Sequence, residues 1–161
     1  MLKDLSYMEN ISIFEGITAN EKEKMFGCFS PREYSFLPDE IIMTYQSAIE
    51  RIGILMDGKA AFYCVDTEGN QSLLEQYGVN AVFGEIFLLP SSTLGYFVQA
   101  QTRCKVIFID YQHIVKRCHN ACLYHSRLVS NLFILTAKKA QSLTAHINIL
   151  SQRTVRRKLI A

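Results

Sequence analysis

The sequence predicts a mainly β domain, a sandwich, jelly roll or barrel, flanked by helices and followed by one long α-helix. Three observations carry that expectation. Between Ser30 and Asp110, seven or eight short apolar or alternating segments recur at regular spacing. Two of the intervals between them are hairpin signals: Asp57-Gly58, where Gly accepts the positive φ of a tight turn, and the longer Asp66-Thr67-Glu68-Gly69-Asn70. After Gly95 the chain contains neither Gly nor Pro, so nothing interrupts a helix across its last third.

Taken in order, Met1 to about Phe29 is a helical lead-in. Thr18-Ala19-Asn20-Glu21 fits a capping box, in which hydroxyl and carboxylate satisfy each other's exposed backbone donors. Met25, Phe26 and Phe29 then supply an apolar face for packing on something larger. The strand candidates are Arg32–Leu37, Glu40–Tyr45, Arg51–Met56, Lys59–Asp66, Gln71–Tyr77, Ala81–Phe83, Phe97–Thr102 and Lys105–Ile109. Asp110 can cap a helix through Tyr111–Cys118, and Asn120 a longer one ending near Leu150. About 30 helical residues span roughly 45 Å, longer than a domain of this size is wide.

Such a helix must bury more than one face. Val129, Phe133, Thr136, Ala140, Leu143, Ile147 and Leu150 follow alternating steps of four and three, the spacing of a coiled-coil seam. Leu128, Leu132 and Leu135 form a second stripe beside it. One stripe can pack on the β domain while the other meets a second copy, which predicts a parallel homodimer.

Composition narrows the class. The chain has 161 residues, 49% hydrophobic and 20% charged, which suits one domain with a real core and excludes disordered or low-complexity chains. No apolar run approaches the roughly 18 residues of a membrane span, and the polar start Met1-Leu2-Lys3-Asp4 is not a signal peptide. A soluble cytoplasmic protein is expected. Five cysteines, an odd count, predict buried thiols rather than disulfides. The net charge of +2 is too small to argue for nucleic acid, but Lys138 to Lys158 holds six basic residues and no acid. From Ser151 a helix restarts and stops at Ala161 in mid-pattern, which reads as the start of a linker into a further domain.

This order of parts resembles the Crp/Fnr family of bacterial transcription regulators. The resemblance rests on Phe14-Glu15-Gly16-Ile17, on the hairpins Asp57-Gly58-Lys59 and Glu68-Gly69-Asn70, on Phe83-Gly84-Glu85, and on Ser151-Gln152-Arg153-Thr154-Val155-Arg156-Arg157-Lys158-Leu159. It implies a cyclic-nucleotide-binding-like double-stranded β-helix, or jelly roll, followed by a dimerisation helix. The implied division is a lead-in over 1–29, an effector-sensing β-roll over 30–110, helices over 111–150, and a linker from 151 to a helix-turn-helix DNA-binding domain missing from this chain. Arg153, Arg156 and Arg157 are the linker candidates for phosphate contact.

For the effector site, the resemblance implies Gly84 and Glu85 in the turn that holds a ribose hydroxyl. It also places Leu94 and Gly95 where cyclic-nucleotide readers carry an Arg and a Ser. No Arg or Lys occurs between Lys59 and Arg103. A buried phosphate monoanion without a cationic partner costs several kcal/mol, on the order of the penalty for any unpaired buried charge. Ordinary cyclic AMP binding is therefore not expected. Ser92, Thr93, Leu94, Gly95 and Tyr96 could line a pocket for an apolar or aromatic effector, or fill it with their own side chains. Thr144 is the candidate contact that the resemblance implies from the long helix.

Two other classes would need different residues. A metal or redox sensor would use Cys118 and Cys122, with His119 and His125 nearby, although core packing is the commoner fate of such residues and no metal or cofactor is expected. A cupin-type enzyme needs inward-facing His on its strands. All four His lie after Asp110, so catalysis is not expected. A ligand-free structural or interaction β-roll remains the alternative to a sensor.

Overall fold

The computed structural model describes residues 10–29, 31–45, 50–88, 95–115 and 123–151. The lead-in is a 3₁₀ turn, Ser12–Phe14, followed by helix α1, Ala19–Phe29. The capping box forms: the Thr18 backbone N–H donates to the Glu21 carboxylate at 2.8 Å, and the Glu21 N–H donates back to the Thr18 hydroxyl.

Eight strands follow: β1 Arg32–Phe36, β2 Ile41–Thr44, β3 Arg51–Asp57, β4 Ala60–Val65, β5 Gln71–Tyr77, β6 Val82–Phe83, β7 Gly95–Ala100 and β8 Cys104–Asp110. They make two four-stranded antiparallel sheets, β1-β8-β3-β6 and β2-β7-β4-β5, and the fold is the jelly-roll-like β-roll that the turn spacing predicts. The expected seventh strand, Phe97–Thr102, begins two residues earlier, because Gly95 and Tyr96 pair with Val65 and Cys64 of β4. Pairing across the sheet overrides the low strand preference of Gly.

The two sheets differ in what covers them. In β3 and β8, Ile52, Ile54, Ile107 and Ile109 point outward under the helices, joining Phe14, Met25, Phe29, Ile114 and Leu128. Leu55, Cys104 and Val106 alternate to the inner face and meet Met43, Phe62, Phe83 and Val98 between the sheets. Strands β3 and β8 are thus buried on both faces, which is why β3 reads Ile-Gly-Ile-Leu-Met without polar alternation. Gly53 sits where a Cβ would lie 2.6 Å from the Phe83 ring, so the absent side chain makes room for it. The opposite sheet has one solvated face, and β5 is exposed at six of its seven positions.

Asp110 caps α2, Tyr111–Val115, by accepting from the Gln112 N–H at 2.8 Å. The long helix α3 runs Leu123–Ser151, 29 residues. Its expected cap, Asn120, lies outside the described residues.

Candidate functional site

The site is built where β6 ends. Gly84 has φ +106°, and a Cβ there would come 2.9 Å from the Arg51 carbonyl and 3.0 Å from the Met43 sulfur. Glycine alone permits this turn. The chain then enters a 3₁₀ turn, Glu85–Leu88, in which the Phe87 N–H donates to the Gly84 carbonyl at 3.0 Å. The Gly-Glu pair thus presents the Glu85 carboxylate from a fixed backbone.

The first half of α3 is fixed against the lead-in. Asn131 Nδ2 donates to the Ile13 and Glu15 carbonyls at 3.0 and 2.8 Å, and Arg127 donates to the Gly16 carbonyl. Leu128 is fully buried, with Leu132 and Leu135 half-buried beside it. His125 is buried, its Nε2 2.6 Å from the Ile114 carbonyl and its ring edge-on to Phe29. That ring belongs to the core, whereas the sequence left it open as a metal ligand.

These anchors bring Lys139 onto the turn. Its Nζ donates to Glu85 Oε1 at 2.5 Å and to the Val82 carbonyl at 2.9 Å, and lies 5.3 Å from the centre of the Tyr77 ring. The two side chains are about one-fifth exposed. Burial, then the carboxylates of Glu75 and Glu85, push the Tyr77 phenol far above its ordinary range, so a neutral ring faces the ammonium. Glu85 Oε2 is buried and has no hydrogen-bond partner among the described residues.

Sequence reasoning missed Lys139, although a signal was present. It extends the steps Leu128, Leu132, Leu135 by four, which places a cation on the stripe that packs on the roll. Thr144, the expected contact from this helix, is exposed, and its hydroxyl donates to the Ala140 carbonyl of its own helix at 2.9 Å. The side chain of α3 that reaches the Glu85 turn is Lys139, five residues earlier.

Inside the roll, Tyr45, Phe62, Phe87 and Tyr96 pack on one another, with Phe62 and Tyr96 stacked at 5.6 Å. Burial raises the Tyr96 phenol. Gly95 is exposed at the start of β7. Ser92, Thr93, Leu94, Cys118, His119, Cys122, Arg153, Arg156 and Arg157 lie outside the described residues. Of the expected seam, Val129, Phe133, Leu143 and Ile147 are exposed, Phe133 at 74%. Ala140 is exposed too, Thr136 is half-buried with its hydroxyl donating to the Phe133 carbonyl, and the Leu150 side chain is outside the described set. Among the described residues, no three His, Cys, Asp or Glu cluster to hold a metal ion. No described helix is long and apolar enough to cross a membrane.

Comparison with known proteins adds to this geometry. The family described as the cyclic nucleotide-binding domain matches residues 33–120, more than half of the chain. The catabolite activator protein of Thermus thermophilus has a similar fold, with TM-score 0.69 and 15% identity, covering 87% of this chain and 63% of that one. The regulatory subunit of a cAMP-independent protein kinase A from Trypanosoma cruzi, bound to guanosine, is similar with TM-score 0.60 and 20% identity, over 80% of this chain and 43% of that one. The potassium channel KOR1 of Oryza sativa subsp. japonica is 23% identical over 126 residues, 78% of this chain and 14% of the channel. The chain thus spans less than two-thirds of each.

Proposed function

Since the chain belongs to the cyclic nucleotide-binding domain family, we propose that it is the effector-sensing and dimerisation module of a Crp/Fnr-type transcriptional regulator. In this reading it is a cytoplasmic homodimer without a cofactor, and it does not respond to cyclic AMP in the usual way. It acts on DNA through a helix-turn-helix domain that follows Ser151–Ala161. One observation supports the sensing role above the others: the turn that presents Glu85 and the helix with the exposed apolar stripe are joined by the ion pair Lys139–Glu85. A molecule engaging Glu85 therefore acts directly on the helix that would pack against a second copy. Its effect is a shift between two packings of paired helices, passed to the DNA-binding domains.

The departure from cyclic AMP rests on charge. No Arg or Lys lies between Lys59 and Arg103, and the cation that α3 supplies is already paired. The Trypanosoma cruzi relative bound to guanosine offers an example of this fold holding a nucleoside that has no phosphate. The mutual packing of Tyr45, Phe62, Phe87 and Tyr96 favours a second reading, a roll filled by its own side chains that works as a ligand-free interaction module.

Native mass spectrometry of anaerobically purified protein at micromolar concentration tests both. A dimer carrying additional mass is the expected result and gives the effector's formula weight. A monomer at that concentration overturns the dimeric mechanism, and a dimer that stays mass-free after exposure to cell extract favours the interaction module.

A further inference from the structure

We infer that strand β1 pairs with β1 of a second copy, antiparallel and centred on Tyr34, through a surface separate from the exposed stripe of α3. Four strands border the two sheets, β1 and β6 in one, β2 and β5 in the other. Such borders carry unpaired N–H and C=O groups that accept a further strand. β6 has two residues, and the ladders of β2 and β5 each break register at a bulge. β1 instead matches β8 in five consecutive pairs, Arg32–Phe108 to Phe36–Cys104, and four of its five residues are exposed. Pro31 and Pro38 bracket it and lack the N–H that would continue a ladder, which limits an added strand to this length.

The sequence of β1 is complementary to itself in one register. Glu33 and Ser35 lie on the outer face, opposite Ile107 and Lys105 of β8, while Arg32, Tyr34 and Phe36 lie on the inner face, opposite Phe108, Val106 and Cys104. A two-fold axis normal to the sheet keeps these faces aligned only when a residue pairs with its own copy. With Tyr34 as that residue, the two Tyr rings meet, Arg32 stands opposite the second copy's Phe36 ring, and Glu33 opposite its Ser35. Tyr34, 39% exposed and edge-on to Phe108, is the apolar surface that pairing covers. On the outer face each row then reads Lys105, Ser35 and the second copy's Glu33, so opposite charges meet over a small hydroxyl. Centring on Glu33 would set two carboxylates face to face, and centring on Ser35 would set Pro38 against Arg32. Because the pairing is isologous it uses up both edges, so growth along this edge stops at two copies.

The test is disulfide trapping of the full chain at millimolar concentration, with each link located by mass spectrometry and wild type as the control for the native cysteines. Tyr34→Cys is expected to link to its own copy, because directly opposed Cβ atoms lie about 5 Å apart. Arg32→Cys, whose two copies are offset by four residues or roughly 13 Å, should link at least about tenfold more slowly. Ser35→Glu added to Tyr34→Cys sets a like charge opposite Glu33 at two places per dimer and should slow the link about tenfold. Glu33→Lys added to both makes those pairs opposite in sign and should restore it. Residues 33 and 35 are exposed, so their exchange leaves the fold intact. Where Tyr34→Cys fails to fold, analytical ultracentrifugation of wild type, Ser35→Glu and the Glu33→Lys, Ser35→Glu double variant reads the same order, weakened by the single change and regained by the double. A link through position 34 no faster than through 32, or a link or self-association that the charge changes do not move, overturns the inference and leaves the sensing role standing.

Discussion

The two halves of α3 are one continuous helix in two different situations. From Tyr124 to Lys139 the helix is tied to the lead-in and the roll by Leu128, Arg127, Asn131 and the ion pair with Glu85. From Ala140 to Asn148 every residue is exposed, Leu143 and Ile147 included. Isolated helices of this length are marginal in water, and most helical stability comes from packing an apolar face. The comparison teaches that α3 is divided along its length: its first half is fixed to the lead-in and the roll, and its second holds Leu143 and Ile147 in water.

The largest effect that separates the halves is a matched pair of truncations. Leu128→Ala should cost about 3 kcal/mol of unfolding free energy, because it empties a fully buried position. Leu143→Ala should change the stability of the monomer by less than about 0.5 kcal/mol while weakening self-association. Urea denaturation at several protein concentrations checks both, since stabilisation by a second copy grows with concentration. Equal losses at high dilution would erase the distinction between the halves.

A smaller effect sharpens where the anchored half begins. Asn131→Ala removes two bonds to the lead-in carbonyls and should cost about 1 to 2 kcal/mol. Native-state hydrogen exchange should show faster exchange around Ser12–Phe14 and α3 residues 127–135, with the sheets little altered.

The smallest effect is electrostatic. The Thr18 backbone N–H, then its hydroxyl, and more weakly Arg127 of α3, hold the Glu21 carboxyl below its ordinary value of 4.5. A carboxyl depressed in the folded state contributes stability that is full above its unfolded value and lost as pH falls through the folded one. Acid titration of the melting temperature should therefore show a loss beginning near pH 4.5 that is reduced in Glu21→Gln. An identical acid profile in the variant would remove Glu21 from the account.

Much of the roll was legible in the sequence because hairpin chemistry is local. Asp57-Gly58 turns where expected, with Gly58 at φ +88°, and the Asp66 carboxylate accepts from the Glu68 and Asn70 N–H groups to close the longer loop. The start of β7 was not legible, since Gly95-Tyr96 become strand only through pairing with β4. The site was half legible. Gly84 and Glu85 announce a turn with a displayed carboxylate, whereas the partner of Glu85 lies 54 residues away on another element. Only the helical phase of Leu128, Leu132 and Leu135, carried one step further, points to it. Of the two apolar stripes on α3, Leu128, Leu132 and Leu135 pack on the core, while Val129, Phe133, Leu143 and Ile147 of the other are exposed.

The bulge in β5 bears on how the roll behaves among other proteins. Between the pairs Phe62–Glu75 and Tyr63–Leu73, Leu74 is the extra residue, left without a partner across the ladder. It lies in a strand at the border of its sheet, where a bare row of N–H and C=O groups would template a foreign strand. The interruption breaks that row's regular repeat and increases its twist, so an incoming chain cannot stay in register along it. A strand whose side chains are nearly all in water is thereby guarded against amyloid-like growth by one surplus leucine.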